Sequence, residues 1–426
     1  MKADLLITNI GQLVTCASGG KPKCGMEMRD AGLIENGAVA IAQGRFVDVG
    51  RAEEVLSQYT AEEVVDAKGN VVCPGFVDPH THIVFAGDRI DEFELKIKGA
   101  DYLEILANGG GILSTVKKTR EASLEDLFVQ SQKRLDKMLA CGTTTAEIKT
   151  GYGLDTETEL KMLRVIEELD KTHAIDIVPT FLAAHAVPPE FKGNTDEYVD
   201  LICSEMLPLA WSWYKKSHFF ADGVPFFADV FCERNAFDLD QTTRVLETAK
   251  SLGFGIKAHV DQFTNLGGSG VAIGTKAVSI DHLDAISDEE VVQLAGSETV
   301  GVIIPTENFN AGKTEFANAR RMIDAGCAIA LSTDYNPGSA PCPSMPMAMA
   351  ISCRYQKLLP AEALNAATIN AAQAIGLGEM YGSIEIGKCA DLLIIDSNDY
   401  RLVSYEFGGQ MIRTALKNGE AVGLIR

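Results

Sequence analysis

A (β/α)8 TIM barrel flanked by a small β-sandwich formed by both chain ends is the α/β fold class this sequence predicts, on three observations. The middle of the chain, from about residue 74 to 379, alternates short apolar runs with longer amphipathic segments. Both ends alternate apolar and polar residues with period two, punctuated by Gly and Asn. The length, 426 residues, suits one large domain with a smaller partner. The expected division is therefore 1–73 and 380–426 for the two parts of the sandwich and 74–379 for the barrel.

The N-terminal part carries DLLITNIG, GAVAIAQGRFVDVG and EVVDAKGNVVC, the signature of short antiparallel strands. The C-terminal part repeats it in GSIEIGKCADLLIID and ALKNGEAVG, where Asn418-Gly419 is a strong hairpin turn. Between them AIDIVPTFLAAH, FADVFCE, GFGIKAHV, AVSIDH, TVGVIIP and CAIALSTD read as strands, whereas TETELKMLRVIEELDK, DLDQTTRVLETAKSLG and TEFANARRMIDAG have helical spacing. Strand and helix in alternation argue for a parallel sheet, and the length of the region fits a barrel. A doubly wound sheet is the alternative, weakened because no GxGxxG follows the first strand.

Charge and cysteine content narrow the function. Acidic residues outnumber basic ones 59 to 38, a net charge of −21, which argues against nucleic acid or an anionic membrane as partner. Ten scattered cysteines without a CxxC pair read as reduced thiols of a cytoplasmic protein. The start, MKADLLITNIGQLVT, has no signal-peptide pattern, and no apolar run approaches the roughly 18 residues of a membrane helix.

Polar residues at the ends of the barrel strands carry the chemistry. His80 and His82 follow the first strand in PGFVDPHTH, His259 ends GFGIKAHV, His282 ends AVSIDH and Asp334 ends CAIALSTD. Barrel strands finish on the face where active sites form. Residues i and i+2 of a strand share a face, so His80 and His82 can point into one cavity. Three neutral imidazoles and a carboxylate suit a transition-metal ion with an open position. Single histidines such as His173 or His218 read instead as hydrogen-bonded core residues.

PGFVDPHTH resembles the amidohydrolase superfamily of metal-dependent hydrolases. VFAGDR, DYLEILANGGGILSTV, EIKTGYGLD, FLAAHAVPPEF, DVFCE, KAHVDQFTNLGG, STDYNPGS and YEFGG narrow the resemblance to the imidazolonepropionase family, from about residue 70 to the end. That resemblance implies hydrolysis of the ring C–N bond of 4-imidazolone-5-propanoate to N-formimino-L-glutamate in histidine degradation. It implies one zinc or iron ion per chain, held by His80, His82, His259 and Asp334. Arg89, Tyr152, His185, Gln262, Asn336, Gly338 and Ser339 fall where the family holds its substrate.

Each of these positions also has a physical reading. The Arg89 fork suits a propionate carboxylate, or an ion pair with Asp88 or Asp91. Tyr152 lies between glycines that allow close approach to a ligand, His185 can hydrogen-bond a ring carbonyl, and Gln262 can meet a ring amide. The glycines 109–111 read as a mobile lid with Tyr102 as a further contact, and Lys149 reads as structural rather than as a metal bridge. Asp334, beside a water polarised by the ion, or His282 serves as the base. Two departures from the family stand out. Position 262 is Gln where some relatives are acidic, and GVIIPTENFN replaces the usual glycine-and-aromatic segment. The sequence does not fix the oligomeric state, and a homodimer would be unsurprising for this fold. A deaminase using the same metal set and a non-enzymatic binding scaffold are the competing functions.

Overall fold

A computed structural model describes residues 1–99 and 110–422. Eight parallel strands follow one another in chain order: Phe76–Asp78, Thr143–Lys149, Asp176–Ala184, Phe227–Cys232, Gly255–Val260, Ser279–His282, Val300–Ile303 and Ile329–Leu331. They are rich in Val, Ile, Ala and Thr, and Thr143–Lys149 is buried at every position, as expected where helices cover a parallel sheet. The eighth strand returns to the first through a parallel bridge between Thr81 and Tyr335, where the His82 N–H donates to the Tyr335 carbonyl at 3.0 Å. Asp78 clamps the same seam, accepting from Ser332 Oγ at 2.6 Å, from the Thr333 N–H at 3.2 Å and from the Thr333 hydroxyl. This is the expected barrel.

Two of the helices between the strands start at side-chain caps. Thr156–Thr172 is capped by Asp155, whose side chain accepts from the Thr158 N–H, and it buries Met162, Leu163, Ile166 and Leu169 on one face. Leu239–Leu252 has a capping box of Asp238 with Gln241 and ends at Gly253, φ 113°. TEFANARRMIDAG departs from its reading: only Ala319–Asp324 is helical. Asp284 takes the Ala317 N–H at 3.0 Å, and Asn318 caps the helix by accepting from Arg321, so it starts five residues late.

Both chain ends build the second sheet. Its order is Glu420–Val422, Ile412–Lys417, Leu392–Ile395, Val71–Pro74, Lys2–Val14, Leu33–Ala42 and Arg45–Arg51, with Thr60–Asp66 also on Lys2–Val14. Antiparallel pairing joins the ends through Val71–Pro74 and Leu392–Ile395. The expectation of antiparallel strands throughout fails at Lys2–Val14, which pairs parallel with Thr60–Asp66 and with Val71–Pro74. The helix Ala52–Gln58 supplies the crossover that a parallel pair requires. Ile7, Leu13, Val39, Phe46, Val72, Leu392 and Ile394 close its apolar core, each contributing about 1.5–3 kcal/mol by burial. Asn418 and Gly419 have φ of 50° and 81°, the two left-handed residues of the expected hairpin turn.

Gly111, φ 81°, starts the helix Ile112–Glu121 and donates its N–H to Glu92 at 2.8 Å. Tyr102 and Gly109 lie outside the described residues, so the lid reading of the glycine run stays an expectation. Among the described residues no helix is long and apolar enough to cross a membrane.

Candidate metal centre and substrate pocket

His80 and His82 lie just past the first barrel strand, His259 lies within the fifth, and Asp334 sits three residues beyond the eighth. All four are buried. His80 Nε2 is 3.1 Å from His82 Nε2, which is 3.5 Å from His259 Nε2. Asp334 Oδ1 is 3.6 Å from His80 Nε2 and 3.5 Å from His82 Nε2. Ligands at the usual zinc distance and tetrahedral angles lie roughly 3.3 Å apart, so the spacing fits a first-row transition metal.

The groups behind the imidazoles decide which nitrogens face inward. His80 donates through Nδ1 to Asp281 at 2.6 Å, and His259 through Nδ1 to Asp229 at 3.1 Å. Each Nε2 therefore turns a lone pair toward the cluster, where a carboxylate oxygen joins it. Acceptors facing one another at these distances repel unless a cation lies among them, and a carboxylate behind each histidine is the usual support for a ligand. Burial, with Lys149 and the neighbouring imidazoles adding to it, holds His80, His82 and His259 below the ordinary histidine range, so they are neutral near pH 7. The donor set fits a divalent metal ion.

Lys149 is tied to Asp229 at 2.7 Å and Glu147 at 2.9 Å, and Lys257 to Glu147 at 2.7 Å and the Pro79 carbonyl at 2.9 Å. Lys149 thus neutralises the carboxylates behind the ligands, in keeping with the structural reading. Asp334 is pushed up to about 8, first by burial and then by Glu307, with His282 opposing. It is held at φ 47° and His282 at φ 85°, conformations that cost about 1–3 kcal/mol each and cluster at functional sites.

A cavity of about 570 Å³ opens above the cluster. His82, Arg89, Tyr152, His185, His259, Gln262, His282, Asp334, Asn336, Gly338 and Ser339 all line it. His185 stacks on His82, ring centroids 4.9 Å apart, and donates through Nδ1 to the Gly151 carbonyl at 3.0 Å. Burial lowers it to about 3, and burial raises Tyr152, which stays a neutral phenol. A Cβ at Gly151 would come within 2.8 Å of His185 Nδ1, so the glycine beside Tyr152 is needed for this approach. Asn336 shapes the loop more than it faces a ligand: its amide donates to the Asp334 carbonyl and Ser339 Oγ, and its oxygen accepts from the Gly338 and Ser339 N–H groups, all at 2.8 Å.

Arg89 departs from its ion-pair reading. Its partner is neither Asp88 nor Asp91 but Glu92, which takes the Nε–Nη2 edge, Nε at 2.8 Å. Only the Nη1–Nη2 edge is left for a bidentate contact, on the side where Gly338 lies so close that a Cβ there would be 2.0 Å from Nη1. Spacing i, i+3 on the helix Ile90–Ile97 and the residue before it could have signalled this pair. The short helix Pro305–Asn310 after the seventh strand carries a buried Glu307, for which the sequence alone gives no role. Glu307 Oε2 accepts from Gln262 Nε2 at 2.8 Å and lies 3.3 Å from His282 Nδ1, without the alignment of a hydrogen bond. Burial opposes charge on both members of that pair, but each favours the other's charged form: Glu307 is lowered and His282 raised.

The amidohydrolase family model matches residues 71–422. Over 419 residues the chain is 52% identical to an imidazolonepropionase of Chloroflexus aggregans, covering 98% of each chain. With that of Herpetosiphon aurantiacus it shares 50% over 420 residues, 99% of this chain and 97% of the relative. The chain belongs to the imidazolonepropionase family of amidohydrolases. Solved structures agree on the fold alone. A zinc-bound adenosine deaminase from Xanthomonas campestris superposes with a TM-score of 0.72 at 18% identity, covering 100% of this chain and 94% of that one. Escherichia coli guanine deaminase gives 0.70 at 16% identity, with 98% of each covered. His82, His259 and Asp334 of the cluster thus line one cavity together with Arg89 and Tyr152.

Proposed function

We propose that this chain is an imidazolonepropionase, hydrolysing the ring C–N bond of 4-imidazolone-5-propanoate to N-formimino-L-glutamate in histidine degradation. The observation that carries the reading is a single cavity holding both a histidine–carboxylate cluster and an arginine with a free guanidinium edge. The substrate has a polar ring and an anionic arm, and these ends match it.

His80, His82, His259 and Asp334 would hold the ion, zinc or iron, for which imidazole and carboxylate are both suitable. When bound, it supplies Lewis acidity to a carbonyl and makes a water molecule easier to deprotonate. Arg89 pairs its outer edge with the propionate, and the Tyr152 phenol donates beside it. His185, its Nδ1 committed to Gly151, offers Nε2 to the ring. Asp334 takes the proton of the attacking water and returns it to the leaving ring nitrogen. Its burial-raised proton affinity, partly offset by a neighbouring cation, suits that exchange. His282, with Nδ1 facing Glu307, orients the water and supports the developing oxyanion. Ten unpaired cysteines accord with a cytoplasmic enzyme.

The test is elemental analysis of purified protein coupled to an assay for formiminoglutamate. A single ion per chain and stoichiometric product are expected. Full metal content with no turnover of imidazolone-propionate would remove the substrate assignment.

A further inference from the structure

We infer that Glu307 is a positioning residue of this pocket: it holds the Gln262 amide with its carbonyl oxygen toward the ligand, so that the site selects a ring bearing an N–H at that point. The inference rests on the function proposed above and adds a determinant of specificity to it.

Glu307 follows the seventh barrel strand on the short helix Pro305–Asn310 and is 3% exposed. It does not line the cavity, but both side chains in front of it, Gln262 and His282, do. A carboxylate can only accept hydrogen bonds. Gln262 must therefore present Nε2 to it, at 2.8 Å, and turn Oε1 the other way. No other side-chain hydrogen bond of Gln262 exists among the described residues, so this contact alone distinguishes the two faces of the amide. With a neutral partner behind it, the amide could rotate by half a turn and offer a donor instead. His282 faces the same carboxylate, with Nδ1 3.3 Å away and neither ring nitrogen hydrogen-bonded among the described residues. Lys313, 3.9 Å from Glu307 Oε1, supplies the balancing cation on the far side. Glu307 sits in the segment GVIIPTENFN, and its partner is the amide at position 262.

The experiment compares two non-hydrolysable five-membered lactams with a propionate arm, one with a ring N–H and one N-methylated. Binding to the metal-loaded enzyme is measured by calorimetry, alongside kcat and KM for imidazolone-propionate. The parent should prefer the N–H ligand by up to roughly tenfold, the size of one neutral hydrogen bond. E307Q should lose most of that preference and raise KM, with metal content unchanged. The exchanged variant, Q262E with E307Q, should regain it, because the carboxylate introduced at 262 accepts from the amide introduced at 307 and still offers an oxygen to the ring. If E307Q does not fold, the exchanged variant carries the test and must keep the preference. Parent-like discrimination in E307Q, or none in the exchanged variant, overturns the inference. A parent that binds neither lactam overturns the substrate assignment itself, and this inference with it.

Discussion

Two halves of the pocket each place a carboxylate behind a histidine, with opposite results. On the metal side Asp281 backs His80 and Asp229 backs His259, yet both imidazoles fall below their ordinary range. Across the cavity Glu307 backs His282, which is raised. The difference lies one layer deeper. Lys149 is 2.7 Å from Asp229 and 3.6 Å from Asp281, and Lys257 is 3.9 Å from Asp281, so those carboxylates already have cations. Among the described residues Glu307 has only one lysine or arginine partner, Lys313 at 3.9 Å. A carboxylate neutralised from behind orients a histidine without charging it, as a metal ligand needs. One left mostly unneutralised shares its charge, as a proton-handling group needs.

The contrast can be broken first at the metal side. His80→Ala removes a proposed ligand and the partner of Asp281, so bound metal by elemental analysis and turnover should both fall to background while the barrel's circular dichroism persists. Asp334→Asn keeps size and an oxygen but cannot take a proton. Turnover should drop roughly 10²–10⁴-fold with KM changed much less, and a parent-like pH–rate profile would transfer the base to His282.

Lys149→Met tests the deeper layer directly. It leaves Asp229 and Glu147 facing each other in the interior without their shared cation, and should cost about 3–5 kcal/mol in denaturant unfolding. Metal affinity near pH 7 should fall too, because His80 and His259 would then hold protons more readily.

Arg89→Met, at the opposite wall, should weaken imidazolone-propionate binding roughly ten- to a hundredfold. A ring analogue without the carboxylate should bind parent and variant alike, and equal losses for both would make Arg89 structural.

The smallest effect is a pH dependence of the metal-free protein. His80, His82, His185 and His259 are lowered in the folded state, so the unfolded chain binds protons first as pH falls. Stability should be fullest above about 6.5, the unfolded value, and decline as pH drops below it. His282 is raised and contributes in the reverse sense, being lost as pH rises through its folded value. His282→Gln should therefore flatten the fall of the melting temperature above about 6.5 while leaving the acid-side decline as it is, and an unchanged slope above about 6.5 would mean that His282 does not share Glu307's charge.

Period-two ends, strand–helix alternation and the Asn418-Gly419 turn follow from local sterics and burial, and they are readable along the chain. So is the placing of His80, His82, His259 and Asp334 at the strand ends, because a barrel puts every strand's C-terminal end on one face. What lies behind each imidazole was not readable. Asp281 is 201 residues from His80, and Glu307 is 45 from Gln262. Nothing local says which acid meets which base. Arg89 shows the same limit: its guanidinium suits a ligand's carboxylate and Glu92's equally well, and only the fold brings Glu92 to one edge while leaving the other toward the cavity. Residue type sets which hydrogen bonds and charges are available. Tertiary packing chooses among them, because in a low-dielectric interior the state of each group depends on every charge packed around it.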